Sequence, residues 1–300
     1  MEPWVLLTFG AVVFQTARFM LQKQLSAAAL SASGATFARF LYSAPLVLAA
    51  VPLLLTAKGL DWPAMPPLFW LYAWIGGATQ IFATVFVLLI FRSRNFAVGI
   101  TLKKTEVLLT ALVSLVVLGE GVSIPALVAI VVGMTGVLIL SNMPEGQGAW
   151  WRRLDSRAAI LGIGSGVFFA VSGVCYRGAT LQIAVDDPLT RAVVTLAAVG
   201  ISQLIGMGLW MHLRERGQIG KVVAAWRTAG LIGLASLGGS VCWFTAFTLQ
   251  NATYVYAVGQ SEVILSLLAS YVIFRERLSW REGTGIALVS VSVLSLILLV

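Results

Sequence analysis

The sequence predicts an all-α membrane protein with ten transmembrane helices, built as two inverted repeats of five helices. Three observations support this fold class. The 300 residues are 59% hydrophobic and 11% charged, whereas a soluble domain has about 45–50% apolar and about 25% charged residues. The apolar residues form ten runs, each close to the roughly 20 residues that a helix needs to cross a bilayer. The two halves of the chain also align with each other.

The ten runs are separated by connections that are mostly short. They cover residues 4–23, 33–55, 68–91, 96–118, 123–141, 158–177, 188–211, 228–249, 253–274 and 280–300. Two connections are longer, at 142–157 and 212–227. Most of the tryptophans lie at run ends, where amphipathic rings anchor helices at the membrane surface. The lipid bilayer is therefore the expected surrounding.

The internal repeat is clearest at an offset of 156 positions. Glu106-Val107-Leu108-Leu109 then aligns with Glu262-Val263-Ile264-Leu265. Further matches at this offset, without a gap, are Phe91 with Phe247, Asn95 with Asn251, Ser114 with Ser270, Glu120 with Glu276 and Ser123 with Ser279. The repeats are predicted at 1–142 and 158–300, with a linker at 143–157. Five helices per repeat require the second repeat to enter the membrane in the opposite orientation, a design common in transporters.

The distribution of Lys and Arg predicts the orientation. Thirteen of these residues fall in the odd-numbered connections, and only Lys58 and Arg177 fall on the other side. The positive-inside rule places the thirteen in the cytoplasm, so both termini are expected outside the inner membrane. The same rule accounts for the net charge of +8, and no nucleic acid partner is expected.

Short motifs resemble the drug/metabolite transporter superfamily, in particular its EamA-type branch. They are Ala38-Arg39-Phe40-Leu41 in the second run, Leu118-Gly119-Glu120 after the fourth, Phe274-Arg275-Glu276-Arg277 after the ninth and Gly283-Thr284-Gly285 in the tenth. The resemblance implies a basket of ten helices around a central cavity, lined by helices 1–4 and 6–9. It also implies transport of amino acids, other metabolites or drugs, usually outward in bacteria.

Ionisable residues at membrane depth are the strongest candidates for a binding site, because a charge there costs at least about 2.5–3.5 kcal/mol and needs a cavity or a partner. Lys103, Lys104 and Glu106 lie in the fourth run, and Glu262 lies in the ninth beside Gln260. Lys103 and Glu106 share a helix face, whereas Lys104 is rotated by about 100°. One of the two lysines is therefore expected to be available for a carboxylate or phosphate of a ligand, while Glu106 or Glu262 binds a proton or an ammonium group. The alternative is a structural salt bridge between the two helices.

Other polar and aromatic residues are weaker candidates. Arg39 and Arg191 lie a turn or two inside the second and seventh runs and either bind substrate, cap carbonyls or reach the headgroups. Arg18, near the end of the first run, is expected to reach the headgroups. Trp243 and Tyr256 are candidate cavity walls. The predicted core has five cations and two anions, and this excess of cations favours a substrate with an anionic group.

These observations predict a secondary transporter, with export as the expected direction, of a small metabolite such as an amino acid or organic anion. Alternating access is the expected mechanism. Coupling to protons through Glu106 or Glu262 is one option for the driving force, and facilitated diffusion and exchange are the alternatives. No nucleotide-binding loop, metal-ligand spacing or nucleophile-base pattern is present, so neither an enzyme, a metal nor a cofactor is expected. A membrane scaffold without transport is the main alternative, and a monomer is a possible oligomeric state.

Overall fold

A computed structural model describes residues 2–28, 30–91, 101–140, 157–265 and 280–299, which contain helices and no strand. The helices are α1 (Pro3–Ala28), α2 (Ala32–Lys58), α3 (Pro67–Phe91), α4 (Glu106–Leu118), α5 (Ile124–Leu140), α6 (Arg157–Leu181), α7 (Pro188–Arg214), α8 (Gln218–Ala224), α9 (Trp226–Leu249), α10 (Ala252–Gly259) and α11 (Trp280–Leu299). Seven of them, namely α1, α2, α3, α6, α7, α9 and α11, are long and apolar enough to cross a membrane. The chain is therefore a multi-pass membrane protein.

The other three predicted runs correspond to shorter helices in the described part of the chain. α5 has 17 residues, and α4 and α10 have 13 and 8. The count of ten spans therefore stays a prediction. The structure also has the short helix α8, which lies in the predicted connection at 212–227. The linker predicted at 143–157 lies almost wholly outside the described residues.

Two predicted spans are interrupted at corresponding places. Residues 101–103 are helical, a turn follows at Lys104 and Thr105, and α4 begins at Glu106. In the other half, α10 ends at Gly259, a turn follows at Gln260 and Ser261, and residues 262–265 are helical again. The sequence analysis predicted both segments as continuous helices, because the apolar runs pass through the turns without a break.

The backbone hydrogen bonds at these two turns match one another at the repeat offset of 156. In each turn, successive amides bond to the carbonyl three residues earlier, as in a tight helical turn. The pairs are Lys104 to Thr101 at 3.1 Å, Thr105 to Leu102 at 3.1 Å, Gln260 to Ala257 at 3.2 Å and Ser261 to Val258 at 3.0 Å. The two halves thus change helix geometry at equivalent residues.

Several helices end at signals that the sequence carries. Ser31 caps α2 by accepting a hydrogen bond from the Gly34 amide, and Gly59 ends it with a φ of 62°. Asp187 caps α7 in the same way and is followed by a proline in the first turn. Gly119 ends α4 with a φ of 71°, a left-handed conformation that glycine adopts without strain. These caps satisfy backbone groups where the helices leave the membrane.

The helices pack mainly in pairs that join the two halves. The largest contacts are between α3 and α6, α5 and α11, α1 and α9, and α2 and α7. α5 and α11 approach closely through small residues. A Cβ at Gly136 would lie 2.9 Å from the Gly285 carbonyl oxygen, so only glycine fits this crossing. The interleaved pairing places several cavities between helices of both halves.

Candidate functional site

A narrow polar cavity lies at the level of the two helix interruptions. It has a volume of about 40 Å³, enough for one or two water molecules but not for a metabolite unless side chains move. Its walls come from α1, α2, α3, α6 and α9 and from the residues around both interruptions. The lining residues are Gln15, Arg18, Arg39, Gln80, Lys103, Glu106, Phe169, Tyr176, Ala235, Ser236, Gly239, Ser240, Trp243, Phe244, Phe247, Tyr256, Gly259 and Glu262.

Two buried ion pairs lie at the two helix interruptions. Lys103 Nζ lies 3.0 Å from Glu106 Oε1, as their spacing predicted. Lys104 Nζ lies 2.9 Å from Glu262 Oε2, which joins the two interrupted segments. Both lysines are therefore paired with carboxylates, whereas one of the two was expected to be available for a ligand. Once the helix turns at Lys104, its side chain reaches the carboxylate of the other half.

Arg18 and Arg39 both face the cavity. Arg39 donates a hydrogen bond to Ser240 Oγ at 3.0 Å, and Arg18 lies over the Phe19 ring with its Nη1 unpartnered. Only 4% of Arg18 is exposed. The expectation that Arg18 reaches the headgroups is wrong, because its side chain points into the bundle. Among the described residues, neither arginine forms an ion pair with a carboxylate.

Three lining side chains carry buried polar atoms that lack a hydrogen-bond partner within the described part of the chain. They are Arg18 Nη1, Glu106 Oε2 and Ser236 Oγ. Buried polar groups normally have partners, and leaving one unsatisfied costs about 1–3 kcal/mol. A donor, an acceptor and a hydroxyl group thus belong to side chains that line the same space, and a small movement of these side chains would let water or a polar ligand reach them.

Three of the predicted site residues, namely Lys104, Gln260 and Arg191, are not part of the cavity lining. Arg191, in the first turn of α7, donates to the Val185 carbonyl oxygen in the preceding loop. This is the capping role that was the alternative for this residue. Gln260 lies in the interruption after α10 and donates to the Tyr256 carbonyl oxygen at 3.5 Å. Of the predicted set, the lining contains Arg39, Lys103, Glu106, Trp243, Tyr256 and Glu262, and Lys104 joins it through Glu262.

Aromatic rings form one wall of the cavity. Trp243 and Tyr256 lie with ring centroids 5.5 Å apart, and Phe247 lies 5.3 Å from Tyr256. Hydrogen bonds fix both polar rings. Trp243 Nε1 donates to Gln15 Oε1 at 3.2 Å, and the Tyr256 hydroxyl donates to the Phe169 carbonyl oxygen at 3.1 Å. These rings make a rigid, apolar surface beside the charged groups.

The sequence analysis missed several lining residues. Gln15, Tyr176, Ser236 and Ser240 were not singled out, because one polar residue in an apolar helix is common and gives no direction. One signal was available for Arg18. It lies more than a helical turn before the end of α1, which makes burial an alternative to reaching the headgroups.

One end of the bundle is tied by a second charged cluster. Arg177 Nε donates to both carboxylate oxygens of Glu120, at 2.9 and 2.7 Å, and its Nη1 donates to the Phe247 carbonyl oxygen at 2.7 Å. Asn251 lies in the same cluster and approaches the Glu120 carbonyl oxygen at 3.5 Å. These contacts join the ends of α4, α6 and α9, so this end of the bundle is fastened around the cavity.

Comparison with known proteins assigns the second half of the chain. Residues 156–298 match the sequence model of the EamA-like transporter family. This half of the chain belongs to the EamA-like transporter family. The family comprises membrane transporters of the drug/metabolite type, so an enzyme is not indicated. The EamA-like half contributes Phe169, Tyr176, Trp243, Tyr256 and Glu262 to the cavity.

The fold of the whole chain is also known from solved structures, of which 28 chains match. One of them, titled only as the crystal structure of a protein, has a TM-score of 0.69 and 16% sequence identity. The match covers 99% of this chain and 98% of that chain. At this identity the likeness shows the fold alone. A search of curated proteins finds no match for this chain.

Proposed function

We propose that this protein is a secondary transporter that carries a small organic anion across the inner membrane by alternating access. One observation carries the proposal. Arg18 and Arg39 line the central cavity, and neither is neutralised by a carboxylate in the described part of the chain. An arginine keeps its charge in a protein, so an anionic ligand is the complement that this cavity lacks.

The charges around the cavity do not balance. Lys103 and Lys104 are matched by Glu106 and Glu262 in two ion pairs, which leaves two guanidinium groups over. Each buried cation at membrane depth costs at least about 2.5–3.5 kcal/mol. A carboxylate or phosphate group would offset this cost, and it would also satisfy the orphaned Arg18 Nη1.

The interrupted helices support transport over a membrane scaffold. Transporters commonly place their sites where helices of inverted repeats are discontinuous, near the middle of the membrane. Here both interruptions lie beside the cavity, at positions related by the repeat offset. The helix pairing also fits two inverted five-helix repeats, because exchanging the halves converts the α1–α9 contact into the α6–α3 contact. A scaffold has no use for charged groups around such a void.

Of the two predicted carboxylates, we assign Glu106 as the one that interacts with a proton or a hydrogen-bond donor of the substrate. Its Oε1 accepts from Lys103, whereas Oε2 is buried without a described partner, and the residue lines the cavity. Glu262 serves instead to bind Lys104 across the two interrupted segments. Export is supported by the family resemblance alone.

A comparison of metabolites tests this proposal. Cells that produce the protein, cells that lack it and cells with Arg18→Gln, Lys104→Ala or Glu262→Gln are compared for intracellular and extracellular metabolites by mass spectrometry. We expect an organic anion to shift outward with the wild type and to shift at least about ten times less with Arg18→Gln, as for a lost bond between charged groups. Arg227→Gln, at an exposed position, is the control for net charge.

Other results of this experiment would contradict the proposal. If no metabolite differs between cells with and without the protein, the scaffold alternative is favoured. If a metabolite moves but Arg18→Gln, Lys104→Ala and Glu262→Gln all leave its flux unchanged, the protein is a transporter and the cavity is not its site. A preference for a permanently cationic compound would contradict the anionic substrate.

A further inference from the structure

The uncompensated charge of the cavity affects the protein without substrate as well as with it. Arg18 and Arg39 are 4% and 6% exposed, and both line a space of about 40 Å³. Such a space holds too few water molecules to solvate two guanidinium groups. Among the described residues, Arg18 lies over the Phe19 ring, and Arg39 donates to Ser240 and lies over the Phe40 ring. Glu262 attracts Arg18 electrostatically, but it already forms an ion pair with Lys104.

The two lysines cannot relieve this excess. Lys103 and Lys104 already occupy Glu106 and Glu262 at 3.0 and 2.9 Å. Moving either carboxylate toward an arginine would leave a lysine unpaired at the same depth. Removing one partner from a buried ion pair is strongly unfavourable, because the other charge stays behind in a medium that solvates it poorly.

Alternating access requires the cavity to be closed to both sides at an intermediate stage. When the cavity is open, water solvates the arginines. When it is closed and empty, two cations lie together without water or a counter-ion. When it is closed around an anion with a net negative charge, the excess is reduced. The closed state is therefore much more accessible with the anion than without it.

We propose that this protein is an obligate anion exchanger, in which the empty transporter hardly reorients and each outward anion is replaced by an inward one. This inference rests on the proposed transport function and narrows it to substrates with a net negative charge. A zwitterion such as a neutral amino acid brings no net charge and would not drive the return step. The return anion can be organic, inorganic phosphate or chloride, since all three provide the same charge compensation.

Proteoliposomes test the exchange directly. The purified protein is reconstituted, and the vesicles are loaded with the low-molecular-mass anion fraction of cells that produce it. Both sides contain the same potassium concentration with valinomycin, so that potassium balances any net charge that the protein moves. The outside buffer contains dextran sulfate, which is too large for the cavity, as its only anion. Separate samples add chloride, phosphate or the same anion fraction outside, and one adds the neutral amino acid alanine. Released anions are measured by mass spectrometry, and vesicles without protein correct for leakage.

We expect release to be at least about ten times faster with a small anion outside than with dextran sulfate or alanine. Equal release in all samples would overturn the exchange while supporting transport of an anion. Faster release with alanine would also overturn it, because charge compensation would then not be the driving property. No release in any sample would count against the proposed function itself.

Two substitutions at Arg18 separate charge from shape. Arg18→Lys keeps the cation but loses the forked guanidinium, so it should bind the anion more weakly and still require exchange. Arg18→Gln removes one of the two excess charges, so release into dextran sulfate should rise relative to exchange by at least threefold. Arg227→Gln should change neither rate. If Arg18→Gln required a counter-anion as strictly as Arg18→Lys, the charge explanation would be wrong. Size-exclusion profiles of all variants establish that they are folded.

Discussion

At the level of single residues, four of the predicted site residues form two ion pairs. Lys103 binds Glu106 within one segment, and Lys104 binds Glu262 across two segments. The second pair is the more informative one, because it joins residues 158 positions apart. It holds two interrupted helices against each other at the level of the cavity.

We predict that substituting one partner of the Lys104–Glu262 pair destabilises the protein more than the loss of the pair as a whole would suggest. Lys104→Met or Glu262→Gln alone should destabilise the protein by about 3–5 kcal/mol, because each leaves a buried charge or polar group without its partner. The double variant should be destabilised less than the sum of the two. The free energy of unfolding in mixed detergent micelles measures this coupling.

The exposed pair of Lys58 and Asp187 gives the matched control. Its side chains are about a third exposed, so substitution of Lys58 should cost only about 0–1 kcal/mol. If the Lys104 and Glu262 substitutions had additive effects, each as small as the effect of the Lys58 substitution, the buried pair would contribute no more to stability than a surface pair. The two interrupted segments would then be held by packing alone.

At the level of helices, close packing depends on glycine at a few crossings. Gly136 in α5 faces Gly285 in α11. We predict that Gly136→Val destabilises the protein by about 1–3 kcal/mol, because the added atoms press on backbone that cannot move aside. Gly206→Val in α7 is the control, since a Cβ there has nothing within 4 Å. Thermal unfolding in detergent compares the two variants. Equal effects would mean that helix propensity, and not packing at the crossing, determines the change in stability.

The start of α7 provides a prediction about pH. Burial alone would raise the pKa of Asp187, but hydrogen bonds from Lys58 and Thr190 outweigh it and lower the pKa below its usual value of 3.8. The folded protein therefore favours the ionised carboxylate. This contribution to stability is complete above about pH 3.8 and is lost as the pH falls through the lower value of the folded state.

Two substitutions separate the charge of Asp187 from its capping role. Asp187→Asn can still cap α7 but cannot ionise, so the difference in unfolding temperature from the wild type should shrink below pH 3.8. Asp187→Ala loses the cap as well and should cost about 0.5–2 kcal/mol more at neutral pH. A difference between wild type and Asp187→Asn that stays constant down to pH 2.5 would show that the ion pair is not formed.

At the level of the whole molecule, the orientation in the membrane is still a prediction from Lys and Arg. It places Arg216 in the cytoplasm and Asp61 outside. In a variant without Cys175 and Cys242, we expect Asp61→Cys to react with a membrane-impermeant maleimide in intact cells. Arg216→Cys should react only after the membrane is opened. Both positions are exposed. The reverse pattern would place the termini in the cytoplasm, and the proposed direction of export would need to be tested against it.

Much of the fold followed from the apolar runs. The bounds of α2, α3, α7 and α9 lie within three residues of their predicted runs, because lipid imposes one length and one composition on every spanning helix. The interruptions at Lys104 and Gln260 could not be predicted in this way. Hydropathy indicates whether a segment lies in the membrane, but not which backbone hydrogen bonds it forms. The residues at the turns are also neither glycine nor proline, so they give no signal of a break.

The sequence by itself determined that the chain is a multi-pass helical membrane protein. It also predicted that the two halves are related and that cations outnumber anions at membrane depth. Only the tertiary structure decided which charges neutralise each other. It paired Lys104 with Glu262 and turned Arg18 inward, so the excess charge lies on two arginines and not on a lysine. The physical reason is that burial and ion pairing depend on the distances between helices, which the order of residues along one helix does not contain.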